Sequence, residues 1–462
     1  MLFNSFVFLF AFLPVTYGVF WLLKTAQSRY VWLTLTGYVF YGYWDARFSL
    51  LMAFSTVVSY LAGLGFLRWS DPRRRRVCLV VPITVDLLLL GFFKYADFGL
   101  DTARDVAHWL GADIAVPHLN IILPVGISFY TFHTISYIVD SYRGVIRPTR
   151  NFFEFASYVS LFSQLVAGPI VRFRQIEADL EGLGEASRGR WLYLGASMFV
   201  VGMVEKVLVA DTLAAFVDPA LSAYTSLSTL GAWMAMLCYS FQLYFDFSGY
   251  STMAVGLGYM FGLRIPQNFN SPYKALDPSD FWRRWHISLS TCMRDYLYIP
   301  FGGSRKGEWQ TYQNLMLTML IGGLWHGAAW TFVFWGAYHG VLLAAYRRWA
   351  AYWDPIPARV RQGLVFLLVL IGWVFFRSTD FGMAAHLLQV MFLPTGGWAG
   401  PSVLLATVPL ILAAAWATAG PNPFEMRHVP SRARNLALAA AFGAALAIIA
   451  GTRSSPFLYF QF

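Results

Sequence analysis

Charged side chains are scarce in this sequence. Of its 462 residues, 13% are charged and 58% are hydrophobic. Soluble domains carry about a quarter charged residues, so the composition excludes an ordinary soluble globular protein and predicts a polytopic membrane protein. Long stretches of alternating hydrophobicity are also lacking, which favours an all-α bundle over a transmembrane barrel of strands.

Cysteine is rare, and the familiar catalytic signatures are missing. Cys78, Cys238 and Cys292 are widely spaced and give neither a disulfide framework nor the CxxC spacing of a metal site, so no metal is expected. No HExxH, G-x-S-x-G or Walker motif occurs, which leaves zinc hydrolases, serine hydrolases and ATPases without support. The net charge of +10 comes from short basic clusters between apolar segments. That pattern indicates a lipid bilayer, and not nucleic acid, as the partner.

The basic clusters predict an orientation. Lys24 and Arg29 form one cluster, Arg68 and the arginines at 73–76 form the next, and two apolar segments separate them. Both clusters therefore lie on one side, which the positive-inside rule makes cytoplasmic. The first apolar stretch has no basic start and no cleavage site, so we expect a retained helix with a periplasmic N-terminus.

The apolar segments predict about ten to twelve membrane segments in one integral-membrane domain that covers residues 1–462. Residues 312–346 are too long for a single crossing, so we expect two spans there, or one span and a broken helix. Gly168 and Pro169 interrupt another apolar stretch, which could indicate a re-entrant segment instead of a full crossing.

One histidine lies within an apolar segment. His326 follows Trp325 in GGLWHG, and an ionisable side chain at membrane depth is costly, so it is a candidate functional residue. Gly323 and Gly327 form a GxxxG pair that lets a neighbouring helix approach closely. We therefore expect His326 to face protein or an internal cavity and not lipid, with Trp325 as a candidate donor-binding or pocket residue. His339 has similar surroundings, and we interpret it as a packing residue.

A polar and aromatic segment precedes this histidine, SDFWRRWHISLSTCMRDYLYIP. It predicts an interfacial or re-entrant helix with Ser279 as its N-cap. Its arginines either anchor the helix at lipid phosphates or line the entrance for a donor. His286 either packs at the interface or belongs to the site. The candidate donor-binding or pocket residues of this segment are Arg283, Arg284, Arg294 and Tyr296.

Further polar residues occur within apolar segments. Asp246 and Tyr244, in QLYFDFSGYS, could line a polar pocket. Asp86, Glu205 and Lys206 instead suggest an alternative function, a proton or substrate path in a transporter or flippase. Internal repeats would favour that alternative, and none is evident.

The chain resembles the membrane-bound O-acyltransferase superfamily over nearly its whole length. The resemblance is strongest to members that O-acetylate alginate and cellulose, and it extends to those that transfer D-alanine to teichoic acids. The motifs that carry it are DFWRRWHISLS, GGLWHG, LPVGISFYTFHTISYIVDSYRG, AGPIVRFR, QLYFDFSGYS and NFNSPY. The resemblance implies helices around a tunnel that joins the two membrane faces, with His326 as the catalytic residue and His286 as its partner.

The same resemblance implies the reaction. An acetyl group would pass from cytoplasmic acetyl-CoA, a substrate and not a bound cofactor, across the inner membrane towards an exported exopolysaccharide through periplasmic acetyl-transfer proteins. A neutral imidazole suits a general base, so His326 would activate the accepting hydroxyl. His286 would polarise the thioester or stabilise the oxyanion, and Arg283 and Arg284 could meet the donor phosphates. A scaffold for polysaccharide-modifying partners is a further alternative.

Overall fold

The computed structural model describes residues 1–112, 114–166, 168–396, 402–451 and residue 458. Within these residues the regular structure is helical and contains no β-strand, which confirms the all-α prediction. The described chain divides into two compact units. The first comprises Met1–Gly195 and Leu257–Pro266, and the second comprises Ala196–Gly256 and Gln267–Phe462. A single integral-membrane domain over residues 1–462 stays a prediction.

The first unit begins with a π-helical turn that continues into an α-helix. Pro14 is the second residue of that α-helix, which directly follows the π-helical turn Phe8–Phe12. The α-helices of the unit are α1 (Leu13–Leu22), α2 (Ala26–Gly42), α3 (Ala46–Arg68), α4 (Pro72–Leu90), α5 (Ala96–Trp109), α6 (Ile127–Tyr142), α7 (Phe152–Val159) and α8 (Phe173–Glu181).

A buried carboxylate joins three helices of this unit. Asp86 of α4 accepts hydrogen bonds from Ser55 Oγ of α3 at 2.7 Å and from Thr134 Oγ1 of α6 at 2.6 Å. A buried carboxylate without donors would carry a large desolvation penalty. The two hydroxyls account for both oxygens of Asp86, so its surroundings are those of a structural cross-link.

Arg29 does not belong to a cytoplasmic loop. It lies in the first turns of α2 with 5% exposure, and its guanidinium donates to the backbone oxygens of Leu23 and Leu183. The prediction that placed Arg29 in a basic loop was therefore wrong in this detail. The guanidinium satisfies carbonyl groups at a helix end and in a nearby turn, and the orientation argument then depends on the other basic residues.

The segment around Gly168 and Pro169 is irregular and buried. Between α7 and α8 the described residues from Ser160 to Val171 form no helix, and their side chains are buried. Non-helical backbone at membrane depth is tolerated where protein covers it. The predicted break at Gly168 and Pro169 is present. Ala167, directly before Gly168, lies outside the described residues.

The second unit is built around one long helix, α11, which spans Thr229–Met260 and is buried on all sides from Phe241 to Leu257. A helix that is apolar all round belongs to the centre of its unit. The end of α11, from Leu257, belongs to the first unit. The start of helix α9 (Arg188–Met203), up to Gly195, belongs to it as well. The other α-helices here are α9 (Arg188–Met203), α10 (Asp211–Ser222), α12 (Pro278–Arg284), α13 (Ile287–Met293), α14 (Glu308–His326), α15 (Trp330–Trp353), α16 (Ala358–Arg377), α17 (Phe381–Phe392), α18 (Ser402–Ala419) and α19 (Arg432–Gly451).

The long apolar stretch at residues 312–346 consists of two helices, as one of the two predicted arrangements required. Helix α14 ends at His326, residues 327–329 are extended or bent, and α15 begins at Trp330.

Within the described residues, four helical stretches are long and apolar enough to cross a membrane. They are Ala46–Arg68, Pro72–Trp109, Ala358–Arg377 and Arg432–Gly451. Together with three shorter apolar helices they confirm a multi-pass membrane protein. The number of ten to twelve segments stays a prediction.

Candidate active site

His286 occupies a strained backbone position between two short helices of the second unit. Its φ of 43° and ψ of 54° are left-handed, and it separates α12 from α13. A left-handed conformation is unfavourable for a residue with a side chain, so the surroundings must impose it. The neighbouring segment does so by pairing with this turn: Ile287 N donates to Asn268 O at 2.8 Å, and Asn270 N donates to Arg284 O at 2.9 Å.

The Asn268 side chain holds His286 directly. Its Oδ1 lies 3.1 Å from His286 Nδ1 and also accepts from the backbone N and the Oγ of Ser288, at 3.2 and 2.8 Å. Its Nδ2 donates to Ser251 Oγ at 3.1 Å. Asn268 and His286 are both fully buried. This amide therefore connects the central helix to the turn that carries the histidine.

His326 is the last residue of α14, with 4% exposure. Aromatic rings surround it: the ring centroids of Trp325 and Trp335 each lie 5.1 Å from its own, and that of Phe376 lies 5.4 Å away. The imidazoles of His286 and His326 are 6.4 Å apart, centroid to centroid. The structure thus brings together the two histidines that the sequence singled out, although 40 positions separate them.

The Trp325 ring contacts both histidines. Its centroid lies 6.0 Å from that of His286 and 5.1 Å from that of His326. Phe247 packs edge-on against His286 at 4.6 Å. The pocket around the pair is therefore largely aromatic, a setting that excludes water and strengthens the polar interactions of a bound substrate.

Close packing of α14 against α15 places His326. A Cβ on Gly323 would lie 2.3 Å from Phe332 O, and one on Gly336 would lie 2.3 Å from Met319 O. These two glycines therefore form the close approach between the helices. Gly327 is not part of a helical GxxxG pair, because it is the extended residue that follows α14.

His339 belongs to the same aromatic cluster but is one ring further away. Its imidazole lies 4.8 Å from Trp335, which in turn lies 5.1 Å from His326. It is buried, with ring contacts to Phe281 and Trp282 at 6.1 and 5.2 Å. Its Nε2 has no hydrogen-bond partner among the described residues, and its interpretation as a packing residue stays a prediction.

The arginines of α12 differ in accessibility. Arg284 donates to Asp280 Oδ2 at 3.0 Å and to Asn270 O at 3.2 Å, so protein acceptors already hold it. The Arg283 side chain is 65% exposed and makes only loose ion pairs with Asp277 and Asp280, at 3.9 and 3.8 Å. Of these two arginines, Arg283 is the better placed to meet a ligand from solution.

The N-cap of α12 is Asp277, whose Oδ1 accepts from the backbone N of Asp280 at 2.6 Å. The prediction of Ser279 was wrong, because Pro278 begins the helix and needs no hydrogen-bond partner for its nitrogen. Beyond α13, Arg294 and Tyr296 lie in the π-helical turn Arg294–Tyr298, where Arg294 is 59% exposed and pairs with Asp295 at 2.8 Å.

Asp246 and Tyr244 point to different neighbourhoods on α11. Tyr244 packs against Trp285, next to His286, at 6.3 Å between centroids. Asp246 instead forms an ion pair with Lys206, which also binds Asp211 at 2.7 Å. The predicted polar pocket is therefore divided: Tyr244 packs on Trp285, the residue before His286, and Asp246 lies in a separate charged cluster.

Sequence reasoning missed Asn268 as a site residue. It lies in the quoted motif NFNSPY, but an asparagine in a short polar segment predicts a turn and gives no sign of a histidine 18 positions later. In the described part of the chain, no group of three or more His, Cys, Asp or Glu residues is placed to hold a metal ion.

Known proteins resemble this chain over most of its length. The family model for membrane-bound O-acyltransferases matches residues 119–384. A probable alginate O-acetylase AlgI of Pseudomonas aeruginosa is 45% identical over 85% of this chain and 75% of its own length. A peptidoglycan O-acetyltransferase of Helicobacter pylori is 38% identical over 85% of this chain and 80% of its own. A teichoic acid D-alanyltransferase of Bacillus subtilis is 29% identical over 56% of this chain and 68% of its own length.

Proposed function

Because the chain belongs to the membrane-bound O-acyltransferase family, we propose that it transfers acetyl groups from cytoplasmic acetyl-CoA towards an exported exopolysaccharide of the alginate or cellulose type. The observation that carries this proposal is the buried pair His286 and His326 in an aromatic pocket, 6.4 Å apart between ring centroids. Relatives named for the acylation of alginate, peptidoglycan and teichoic acid support a polysaccharide as the final acceptor. In this proposal the chain lies in the inner membrane with a periplasmic N-terminus.

His326 acts as the general base in the proposed step. It takes the proton from the accepting hydroxyl, whose oxygen forms a bond to the acetyl carbonyl carbon. The carbon–sulfur bond of the thioester breaks, and the thiolate leaves with the proton that the imidazolium returns. A positioned base of this kind contributes about 10²–10⁴-fold in rate. Periplasmic proteins of the same pathway would complete the transfer to the polymer.

Arg283 is the residue through which the donor would be recognised. Its exposed guanidinium presents several donors in one plane, which suits the phosphates of coenzyme A. Trp325, which contacts both histidines, and Tyr244, which packs on Trp285, would line the path of the acyl group.

The placement of the charged residues weakens the transporter alternative. Both carboxylate oxygens of Asp86 accept hydroxyl hydrogen bonds, and Lys206 is paired with Asp211 and Asp246. Glu205 Oε2 lies 3.2 Å from the hydroxyls of Ser248 and Thr252 on α11. The contacts of Asp86 and Lys206 are those of structural cross-links between buried helices. Glu205 Oε1, by contrast, is buried and has no hydrogen-bond partner among the described residues.

Vesicles of defined orientation test the donor and its direction. Inverted vesicles expose the cytoplasmic face, so radiolabelled acetyl-CoA added outside should label polymer enclosed with the periplasmic partners. Right-side-out vesicles given the same external acetyl-CoA should stay unlabelled, because the donor does not cross the bilayer. Labelling in the right-side-out vesicles alone, or polymer transport without any acetyl-CoA consumption in either, would contradict the proposal.

A further inference from the structure

The hydrogen bonds around Asn268 determine which of its side-chain atoms faces His286. The backbone N–H of Ser288 can only donate, and it points at the atom that lies 3.2 Å away. That atom must accept, so it is the amide oxygen and not the amide nitrogen. The amide nitrogen then faces Ser251 Oγ at 3.1 Å, where a hydroxyl can accept. Both ends of the amide are thereby satisfied in one orientation.

This orientation also determines the tautomer of His286. An amide oxygen carries no hydrogen, so His286 Nδ1, at 3.1 Å, must donate to it. A neutral imidazole has one N–H, and here Nδ1 carries it. Nε2 then has a lone pair and no hydrogen. Within the described residues Nε2 is buried and has no hydrogen-bond partner, so it is available for a group that enters the pocket.

We propose that Asn268 is a positioning residue that holds His286 as the Nδ1–H tautomer, so that His286 meets the substrate as a hydrogen-bond acceptor through Nε2. The proposal rests on the proposed function, since it assumes that His286 contacts the reacting molecules. In this proposal His286 Nε2 accepts a hydrogen bond from an O–H or N–H group of the substrate. That group lies beside the hydroxyl that His326 deprotonates. This role replaces the oxyanion contact expected for His286, because a nitrogen without hydrogen cannot donate to a developing negative charge.

The backbone contacts also support Asn268 as the residue that positions His286. His286 is held in its left-handed conformation by the bond from Ile287 N to Asn268 O, so one residue fixes both the backbone and the ring. The ring contacts of His286 are Phe247, Phe269, Trp325 and His326. Among these contacts His326 is the titratable side chain, and the others are uncharged aromatic groups.

The Asn268→Asp variant separates the acceptor role from the oxyanion role by the sign of its effect. A carboxylate at this position stabilises the doubly protonated imidazolium, which has no free lone pair on Nε2. If Nε2 must accept, the acid limb of the kcat profile moves to higher pH, by about one to three units for an adjacent opposite charge. If the imidazolium served as an oxyanion donor, the same variant would keep or raise the activity near neutral pH. That second result would overturn the proposal.

Two further variants complete the experiment. Asn268→Ala removes the fixed acceptor and should lower kcat by about 10- to 100-fold, as loss of an orienting partner does, without moving the acid limb upward. Asn422→Asp is the matched control, because Asn422 is a buried asparagine that bonds Asn270 and Ser271 in the same unit. It should leave the acid limb in place. An equal shift in Asn422→Asp, or no shift in folded Asn268→Asp, would show a merely structural role.

The tautomer can be measured on the unaltered protein. Nitrogen-15 spectra of histidine-labelled protein in bilayers distinguish the two neutral forms, and the signals of His286 are those lost in His286→Gln. We expect the Nδ1–H form near neutral pH, and the Nε2–H form would overturn the proposal. Full acetyl transfer by His286→Gln would remove His286 from the reaction and end this proposal, whereas the acyltransferase assignment would stand as long as His326→Ala is inactive.

Discussion

At the residue scale, the two histidines of the pair have different surroundings. His286 is fixed by a hydrogen bond to Asn268, whereas His326 lies at a helix end among the rings of Trp325 and Trp335. As the proposed general base, His326 should contribute to the rate through its ability to take a proton.

Replacing His326 tests this view. His326→Ala should lower acetyl-CoA turnover in purified membranes by about 10²–10⁴-fold, the usual contribution of a general base, with protein abundance retained. His326→Gln should be no better, because an amide fills much of the volume but takes no proton. His339→Gln is the control one ring away, and it should keep most of the activity. Normal turnover in His326→Ala would remove it from the catalytic role.

The two arginines of α12 offer a second comparison of single residues. Arg283→Gln should raise the KM for acetyl-CoA and leave kcat unchanged, because it removes binding that ground and transition states share. Arg284→Gln should instead lower protein abundance, since Asp280 and the Asn270 carbonyl lose their partner. Steady-state kinetics and quantitative immunoblots measure the two effects. Unchanged donor KM in Arg283→Gln would leave that side chain as a contact to lipid phosphates.

At the scale of elements, the approach of α14 to α15 determines where His326 lies. Gly323 has no room for a Cβ, which would meet Phe332 O at 2.3 Å, whereas a Cβ on the adjacent Gly322 would find no atom within 4 Å. Gly323→Ala should therefore force the two helices apart and cost about 1–3 kcal/mol, as overpacking does. Gly322→Ala on the same helix should be neutral. The unfolding temperature in detergent and the rate of acetyl-CoA turnover should both fall in Gly323→Ala and stay unchanged in Gly322→Ala.

The same scale shows what the sequence could predict. A crossing such as helix α3, Ala46–Arg68, can be predicted from the sequence, because apolar length directly encodes it. A break within residues 312–346 followed from the excess length of that stretch, but its position at residues 327–329 did not. The cap at Asp277, the left-handed His286 and the bond from Asn268 could not be predicted, because they depend on contacts between residues that are distant in sequence. The pairing of His286 and His326 came from the family resemblance, and local patterns alone would have left it open.

At the scale of the whole molecule, the distribution of charge along one helical run gives the orientation argument its sharpest form. Helices α4 and α5 and the π-helical turn between them form one stretch of 38 residues, Pro72–Trp109. Its start carries the exposed arginines at 73 and 74, and its end carries Asp101 and Asp105. The 32 positions from Arg73 to Asp105 correspond to about 48 Å of helix, which exceeds the roughly 30 Å of hydrocarbon in a bilayer.

Single cysteines at the two ends of this run test the orientation. The native Cys78, Cys238 and Cys292 are buried, so they should add little background labelling. In intact cells Asp105→Cys should react with a membrane-impermeant thiol reagent, and Arg73→Cys should react only after the membrane is opened, because arginines favour the cytoplasmic side. Labelling of Arg73→Cys alone would reverse the orientation and with it the predicted side of the donor. Labelling of both in intact cells would mean that the run does not cross the membrane.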